Sequence, residues 1–429
     1  MPILRYKPQL VVFFALVLGA SMWFYVQRVL IPYQVTDAVA HGRPRGNLSD
    51  LYPRWLGARE LLLHHRDPYS PEVTREIQIG YYGRELDSGR PNDPRDQQGF
   101  AYPAYVVFLL APTVRLPFQI VSAGFRWLLV ILTGASVLLW LRVLQWRPPA
   151  WMTVAIIILT LGSFPAAQGI KLQQLSLLVS GLIAASMAAL SAGYLFAAGV
   201  LLALATIKPQ LVVPLAAWLV FWSAAQWKSR QRFFWGFVLT LAVLAGGAEL
   251  ILPGWIRRFL AALAAYRQYT ARGGSLLNVL LTPAWGYPLA LVLLLGVALV
   301  CWRIGRAPVG TEDFALTVAL VLTVTIVVIP MFAPYNQLLL LPGVLLMIRH
   351  WKDLQKTLLG RFGSGIAIVI IGWPWACSAG LVLASAVLPP ATAQRAWAMP
   401  LYTSLYIPLA VLALLVLLVF GRLRSGDLG

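Results

Sequence analysis

The chain has 429 residues, 59% of them hydrophobic and 11% charged, with a formal net charge of +19. Ordinary globular chains carry about 25% charged residues, so this composition excludes a water-soluble domain, which would expose too much apolar surface. Long apolar runs without strand-like alternation favour spanning helices, which satisfy their own backbone groups, over a barrel.

The first run extends from Leu10 to Val29 behind Arg5 and Lys7. It lacks a small-residue cleavage site and reads as a retained first helix. A polar stretch follows at 41–99. Further apolar candidates lie at 101–118, 122–142, 150–166, 174–191, 193–207, 210–224, 233–252, 283–302, 313–331, 334–348, 364–388 and 401–420, thirteen in all. Cys301 and Cys377 fall in apolar segments and read as small buried hydrophobes.

Basic residues cluster in short segments between apolar runs: Lys228, Arg230 and Arg232; Arg303 and Arg306; Arg349, Lys352, Lys356 and Arg361; Arg422 and Arg424. This is the positive-inside pattern, so the charge points to topology and anionic lipid rather than to nucleic acid. Placing these groups and the N-terminus in the cytoplasm requires an even number of crossings. Either 101–118 is re-entrant, or 193–224 is one crossing broken at Lys208-Pro209. The first is preferred, and it leaves Lys171 and Lys208 near the outer face.

The expected fold is all-α: a polytopic transmembrane helix bundle of about twelve spanning helices forming a single integral-membrane domain over 1–429. A large first extracytoplasmic loop at 41–99 would contain short interfacial helices, and a second extracytoplasmic segment would cover 254–282. Ten of the fifteen acidic residues lie between Asp37 and Asp96. An ionised carboxylate is costly at mid-bilayer, so the first loop is where acid–base chemistry is expected. No Walker loop, dinucleotide-binding glycine motif, HExxH or CxxC pair occurs, so no cofactor or metal is expected.

Asp50 follows the first helix closely. It suits a general base at the membrane face or an N-cap, a role that Ser49 could fill instead. Leu51, Trp55 and Leu62 recur at helical spacing and predict an amphipathic interfacial helix. The His65-Arg66-Asp67-Pro68-Tyr69-Ser70-Pro71 stretch breaks it, with Asp67 as turn former. Tyr102-Pro103 predicts extended backbone. Lys171 and Gln174 stand between apolar runs, and Lys208-Pro209 interrupts another. A lysine at membrane depth either binds a ligand or snorkels. Four arginines in the second external segment (Arg257, Arg258, Arg267 and Arg272) suit an anionic, phosphate-bearing substrate or lipid headgroups. Asn278, Tyr335 and Asn336 occupy other external turns.

Taken in order, these pieces resemble the polyprenol-phosphate-dependent membrane glycosyltransferases of the GT-C type, family 87. That family shows an early Asp followed by Tyr, a Gly-x-Asp-Pro-Tyr turn, Phe-x-Tyr-Pro-Pro, Gly-Gln-x-Asn and Lys-Pro. Here these stand as Asp50-Leu-Tyr52, His65-Arg66-Asp67-Pro68-Tyr69, Phe100-Ala-Tyr102-Pro103-Ala104, Gln173-Gln174-Leu175-Ser176 and Lys208-Pro209. His65 and Gln173 replace glycines, Ala104 a proline, and Ser176 an asparagine. The resemblance implies a sugar donor, mannose or another hexose, on a polyprenyl phosphate, and a glycolipid or glycan acceptor outside a bacterial inner membrane. It also implies inverting displacement with Asp50 as base, and a donor phosphate held by Lys171 or Lys208 and external arginines. Tyr52, Arg54, Asp67, Tyr69, Tyr102, Gln174, Arg257, Arg258, Asn278, Tyr335 and Asn336 complete the expected substrate site. Glu60 or Asp67 would be the second carboxylate of a retaining alternative. A transporter or lipid flippase, or a scaffold of the cell envelope, are the rival readings.

Overall fold

The computed structural model describes residues 7–44, 46, 49–87, 89–270, 274–304, 307–330 and 333–425. Arg5, Leu48, Arg272, Gly273 and Arg306, and the side chain of Arg424, lie outside the described residues. Every regular element among those described is helical.

Among the described residues, six helices are long and apolar enough to cross a bilayer: Pro8–Ala40, Phe118–Val143, Trp227–Ile251, Pro283–Arg303, Leu358–Val387 and Met399–Arg422. A bent pair, Ala150–Leu161 with Phe164–Leu172, folds by 53° and brings the number to seven if it counts as one span. The apolar helices Leu175–Ser191, Leu195–Ala205 and Pro209–Ala225 are shorter. Much of the bundle is thus built from short helices meeting at breaks, rather than from twelve uninterrupted crossings. Segment 101–118 makes no long helix. Pro103, Pro112 and Pro117 confine it to the five-residue helix Val106–Leu110 and a 3-10 turn at Ala111–Thr113. Helix Glu312–Val328 is buried at every position from Phe314 to Val327, as expected of an apolar helix surrounded by protein.

Small residues bring helices close. A Cβ on Gly199 would stand 2.3 Å from the Phe233 carbonyl oxygen, and one on Gly236 2.3 Å from that of Phe196. Helices Leu195–Ala205 and Trp227–Ile251 therefore meet backbone to backbone, the usual device where apolar side chains gain little by leaving lipid.

The basic loops converge. Arg230 lies 3.9 Å over the Trp222 ring and donates to the Ala307 carbonyl. Arg349 donates to the Leu144 carbonyl. Arg422 pairs with Glu312 and Asp313, and Glu312 also meets His350. The 41–99 stretch, the 254–282 segment and the Ala333–Asn336 turn are likewise brought together, through the contacts described below.

Candidate functional site

Within 41–99 two helices form, Tyr52–His64 and Pro71–Tyr82. The first has no exposed residue from Tyr52 to Leu63, with Pro53, Trp55, Gly57, Ala58, Glu60 and Leu61 buried. It starts without a side-chain cap, so neither Ser49 nor Asp50 serves as one, and the Asp50 carboxylate is used elsewhere. The second helix is capped by Ser70, whose Oγ accepts from the Val73 amide at 3.2 Å.

The site is assembled from breaks between helices. The Asp50 amide donates to the Leu172 carbonyl at 2.9 Å, satisfying a carbonyl that helix Phe164–Leu172 leaves without an intrahelical partner. Gln173 then takes a left-handed conformation (φ 54°), and Gln174 is extended before Leu175–Ser191 begins. Lys208 is held extended (φ −120°) by Pro209, which starts the next helix. Non-helical backbone at such depth is tolerated where it lines a cavity or is enclosed by protein.

These breaks bring together a connected polar set. Gln174 Nε2 donates to Asp50 Oδ2, while its Oε1 accepts from Lys208 Nζ at 3.2 Å. Lys208 also donates to Ser176 Oγ at 2.6 Å, and Ser176 donates to Asn336 Oδ1 at 2.7 Å. Tyr81 hydroxyl donates to Asp50 Oδ1 at 3.3 Å. Arg54 donates to the Asp50 carbonyl at 2.8 Å and lies 4.6 Å over the Tyr102 ring. Lys208 Nζ stands 5.9 Å from the centroid of Tyr102 and 5.2 Å from that of Tyr335, both within cation–π range.

Lys208 is only 7% exposed, yet among the described residues neither it nor Arg54 forms an ion pair. Arg54 Nε is buried without a hydrogen-bond partner among them. A buried cation without an ion-pair partner is costly, so Lys208, joined to Asp50 only through Gln174, is suited to meet an anion.

Burial first, and then the charge of Asp50, push the Tyr81 hydroxyl up, so it remains a proton donor toward Asp50. Burial raises the Asp96 carboxyl. The Gln98 backbone bond and Arg54 oppose that rise, and Asp50 adds to it. Tyr266, on helix Trp255–Thr270, is pushed up to about 12, chiefly by burial and then by Asp96. Asp96, Tyr81 and Tyr266 are thus members of the Asp50 neighbourhood that sequence reasoning missed. The Ser70-Pro71 start signal predicts the helix that carries Tyr81, but no local pattern marks Asp96 or Tyr266.

Other expected site residues brace this set. Tyr69 hydroxyl donates to the Tyr102 carbonyl at 2.6 Å, and its ring meets Phe100 edge-on at 5.2 Å. Asp67 Oδ1 accepts from the Tyr69 amide at 2.9 Å, the turn-forming role, while Oδ2 pairs with Arg258 and ties the first loop to helix Trp255–Thr270. Arg257 is exposed on the same helix. Tyr52, Trp55 and Phe118 pack their rings mutually, with centroids 5.0–5.9 Å apart. Lys171 donates to Gln27 of the first helix at 3.4 Å. Asn278 lies against Gly274 and Gly286 beyond helix Trp255–Thr270. Glu60 is engaged by His64 and Arg66.

No curated protein and no solved structure matches the chain. The family model of glycosyltransferase family 87 matches residues 100–334, more than half of the chain; this span contains Tyr102, Gln174 and Lys208 and begins after Asp50. The match replaces the transporter, flippase and scaffold readings with a membrane-embedded transferase that takes a sugar donor and an acceptor. The chain belongs to glycosyltransferase family 87.

Proposed function

We propose that this glycosyltransferase moves a hexose, with mannose the first candidate, from a polyprenyl-phosphate donor to a glycan or glycolipid acceptor on the extracytoplasmic face of a bacterial inner membrane. The observation that carries the reading is the Lys208–Gln174–Asp50 chain: a carboxylate and an unneutralised buried lysine held by one amide. Asp50 takes the proton of the acceptor hydroxyl as its oxygen attacks the anomeric carbon. The bond from that carbon to the phosphate oxygen breaks, and configuration inverts. Lys208 and Arg54 bind the departing polyprenyl phosphate, whose negative charge grows along the reaction. Because Gln174 donates to Asp50 and accepts from Lys208, it fixes base and cation relative to each other.

Direct displacement needs one base, whereas retention through a glycosyl-enzyme needs a second carboxylate beside the first. Glu60 and Asp67 are each tied up by arginine, and Asp96 accepts from the Gln98 amide at 2.9 Å and from its Nε2 at 3.0 Å, which favours inversion. The extracytoplasmic assignment rests on the convergence of the basic loops away from this set and on the positive-inside rule.

The test is transfer in proteoliposomes, with polyprenyl-phosphate hexoses offered in parallel with nucleotide sugars. Transfer from the lipid-linked donors alone is expected, with the anomeric configuration of the product inverted. Transfer from nucleotide sugars, or retention, would overturn the reading. Lys208→Met is expected to lower kcat by about 10²–10³-fold, the scale of removing one charge-stabilising group.

A further inference from the structure

A cavity of about 740 Å³ opens between the 69–101 stretch and helix Trp255–Thr270, and it does not include Asp50. Its size falls within the roughly 300–1,000 Å³ of small-molecule sites. Its wall includes Tyr69, whose hydroxyl donates to the Tyr102 carbonyl at 2.6 Å, and Arg54, bonded to the Asp50 carbonyl, lies 4.6 Å over the Tyr102 ring. The cavity therefore borders the Asp50 set at one end.

The walls are braced. Gln78, 6% exposed, spans them: its Nε2 donates to the Gln97 carbonyl at 3.2 Å, and its Oε1 accepts from the Leu86 amide at 3.1 Å. Arg84 grips Asp93 through both guanidinium nitrogens, and the Asp87 amide donates to Asp93 at 2.8 Å. The loop that forms the outer wall is thus tied down before any ligand arrives, which lowers the ordering cost of binding.

The charge of the lining decides what fits. Of the charged residues that line it, Arg90 pairs with Asp87 at 3.7 Å, Asp93 with Arg84 and Arg75 with Glu72 at 3.7 Å, and Arg95 and Glu85 balance each other. These charges cancel, so the cavity presents no net field to draw in a phosphate or a uronate. The Asp50 set differs, with the buried Lys208 in no ion pair among the described residues. What the cavity does offer is donors and acceptors side by side, with the rings of Tyr69, Phe100 and Tyr266 between them. A hydroxyl both donates and accepts, so a ligand bearing many hydroxyls and no charge satisfies both kinds of group.

We infer that this cavity is the acceptor site, and that the acceptor is a neutral oligosaccharide whose terminal hydroxyl is passed beside Tyr69 and Tyr102 to Asp50. The inference rests on the glycosyl-transfer reading above and names its acceptor class. Charged acceptors and acceptors held only by a lipid anchor are excluded by it.

The test uses the full chain in lipid nanodiscs without donor. Binding of neutral manno-, gluco- and galacto-oligosaccharides is measured by saturation-transfer NMR and calorimetry, with a uronic-acid oligosaccharide as anionic comparison. At least one neutral series is expected to bind, and the uronate not. Ala262→Trp, which fills the cavity from the helix side, is expected to weaken binding at least ~tenfold, the effect of losing about 1.4 kcal/mol. Glu85→Lys, at an exposed position, is expected to leave the fold intact and shift preference toward the uronate. No binding of any neutral oligosaccharide, tighter binding of the uronate by the wild type, or unchanged binding by Ala262→Trp in protein of wild-type thermal stability would each overturn the inference. Because donor is absent, these results stand apart from the mechanism. Oligosaccharide binding without transfer from any polyprenyl-phosphate sugar would sink the donor reading and leave the cavity assignment intact. Transfer to a lipid acceptor without oligosaccharide binding would do the reverse.

Discussion

At His65 (φ 55°) and Gln173 (φ 54°) the backbone is left-handed, and both stand where the family resemblance leads one to look for glycine. A side chain in that conformation costs about 1–2 kcal/mol, but the two positions differ in what the side chain returns. His65 is exposed, so His65→Gly should raise the melting temperature of the purified protein. Gln173 is fully buried, and its Nε2 donates to the Ser122 carbonyl and hydroxyl at 2.7 and 2.6 Å. Two bonds at about 1 kcal/mol each, together with the void left behind, outweigh the strain relieved. Gln173→Gly should therefore lower the melting temperature, and a rise would contradict the role given to the Ser122 bonds. At this scale the sequence was legible where a residue carries its own cue. Proline marks Lys208 as a break, and charge in an apolar run marks it as costly. Asp96 and Tyr266 carry no such cue, because what matters about them is burial beside partners far along the chain.

The short helices owe their positions to proline and to small residues. Helix existence was largely legible from apolar runs: 122–142 and 233–252 correspond to Phe118–Val143 and Trp227–Ile251. Breaks within runs were less so. The 150–166 run contains the bend at Gly162-Ser163, where a Cβ on Gly162 would stand 2.3 Å from the Gly19 Cα. That close approach depends on a partner helix that local sequence does not specify. The contact at Gly236 gives a sharper test. Gly236→Ala drives a methyl group into the Phe196 carbonyl and should cost about 1–3 kcal/mol. Gly246→Ala, on the same helix with nothing within 4 Å, should be neutral or gain up to about 1 kcal/mol from helix propensity. Thermal unfolding of the two variants in one detergent checks this, and equal effects would contradict the close packing.

Across the whole molecule, two polar clusters divide the work. One, at the basic loops, joins helices distant in sequence through His350, Glu312 and Arg422. The hydrogen bond to Glu312 raises the His350 pKa, with Asp353 assisting against burial. Since the folded value lies above the unfolded one of about 6.5, this contribution is fully present below that pH. It is lost as pH rises through the raised folded value. Wild type should therefore lose more melting temperature than His350→Gln as pH rises across that window, and parallel curves would contradict the linkage. The other cluster is the Asp50 set, to which the 41–99 stretch, two helix breaks and the 333–336 turn all contribute.

That a carboxylate at Asp50 removes the acceptor proton is the claim most of the account depends on. Its most direct test is single-turnover transfer from a polyprenyl-phosphate hexose by wild type and Asp50→Asn, with polyprenyl-phosphate binding measured on the same preparations. The account predicts a fall in the transfer rate of about 10²–10⁴-fold with binding retained; transfer by Asp50→Asn at the wild-type rate would contradict it.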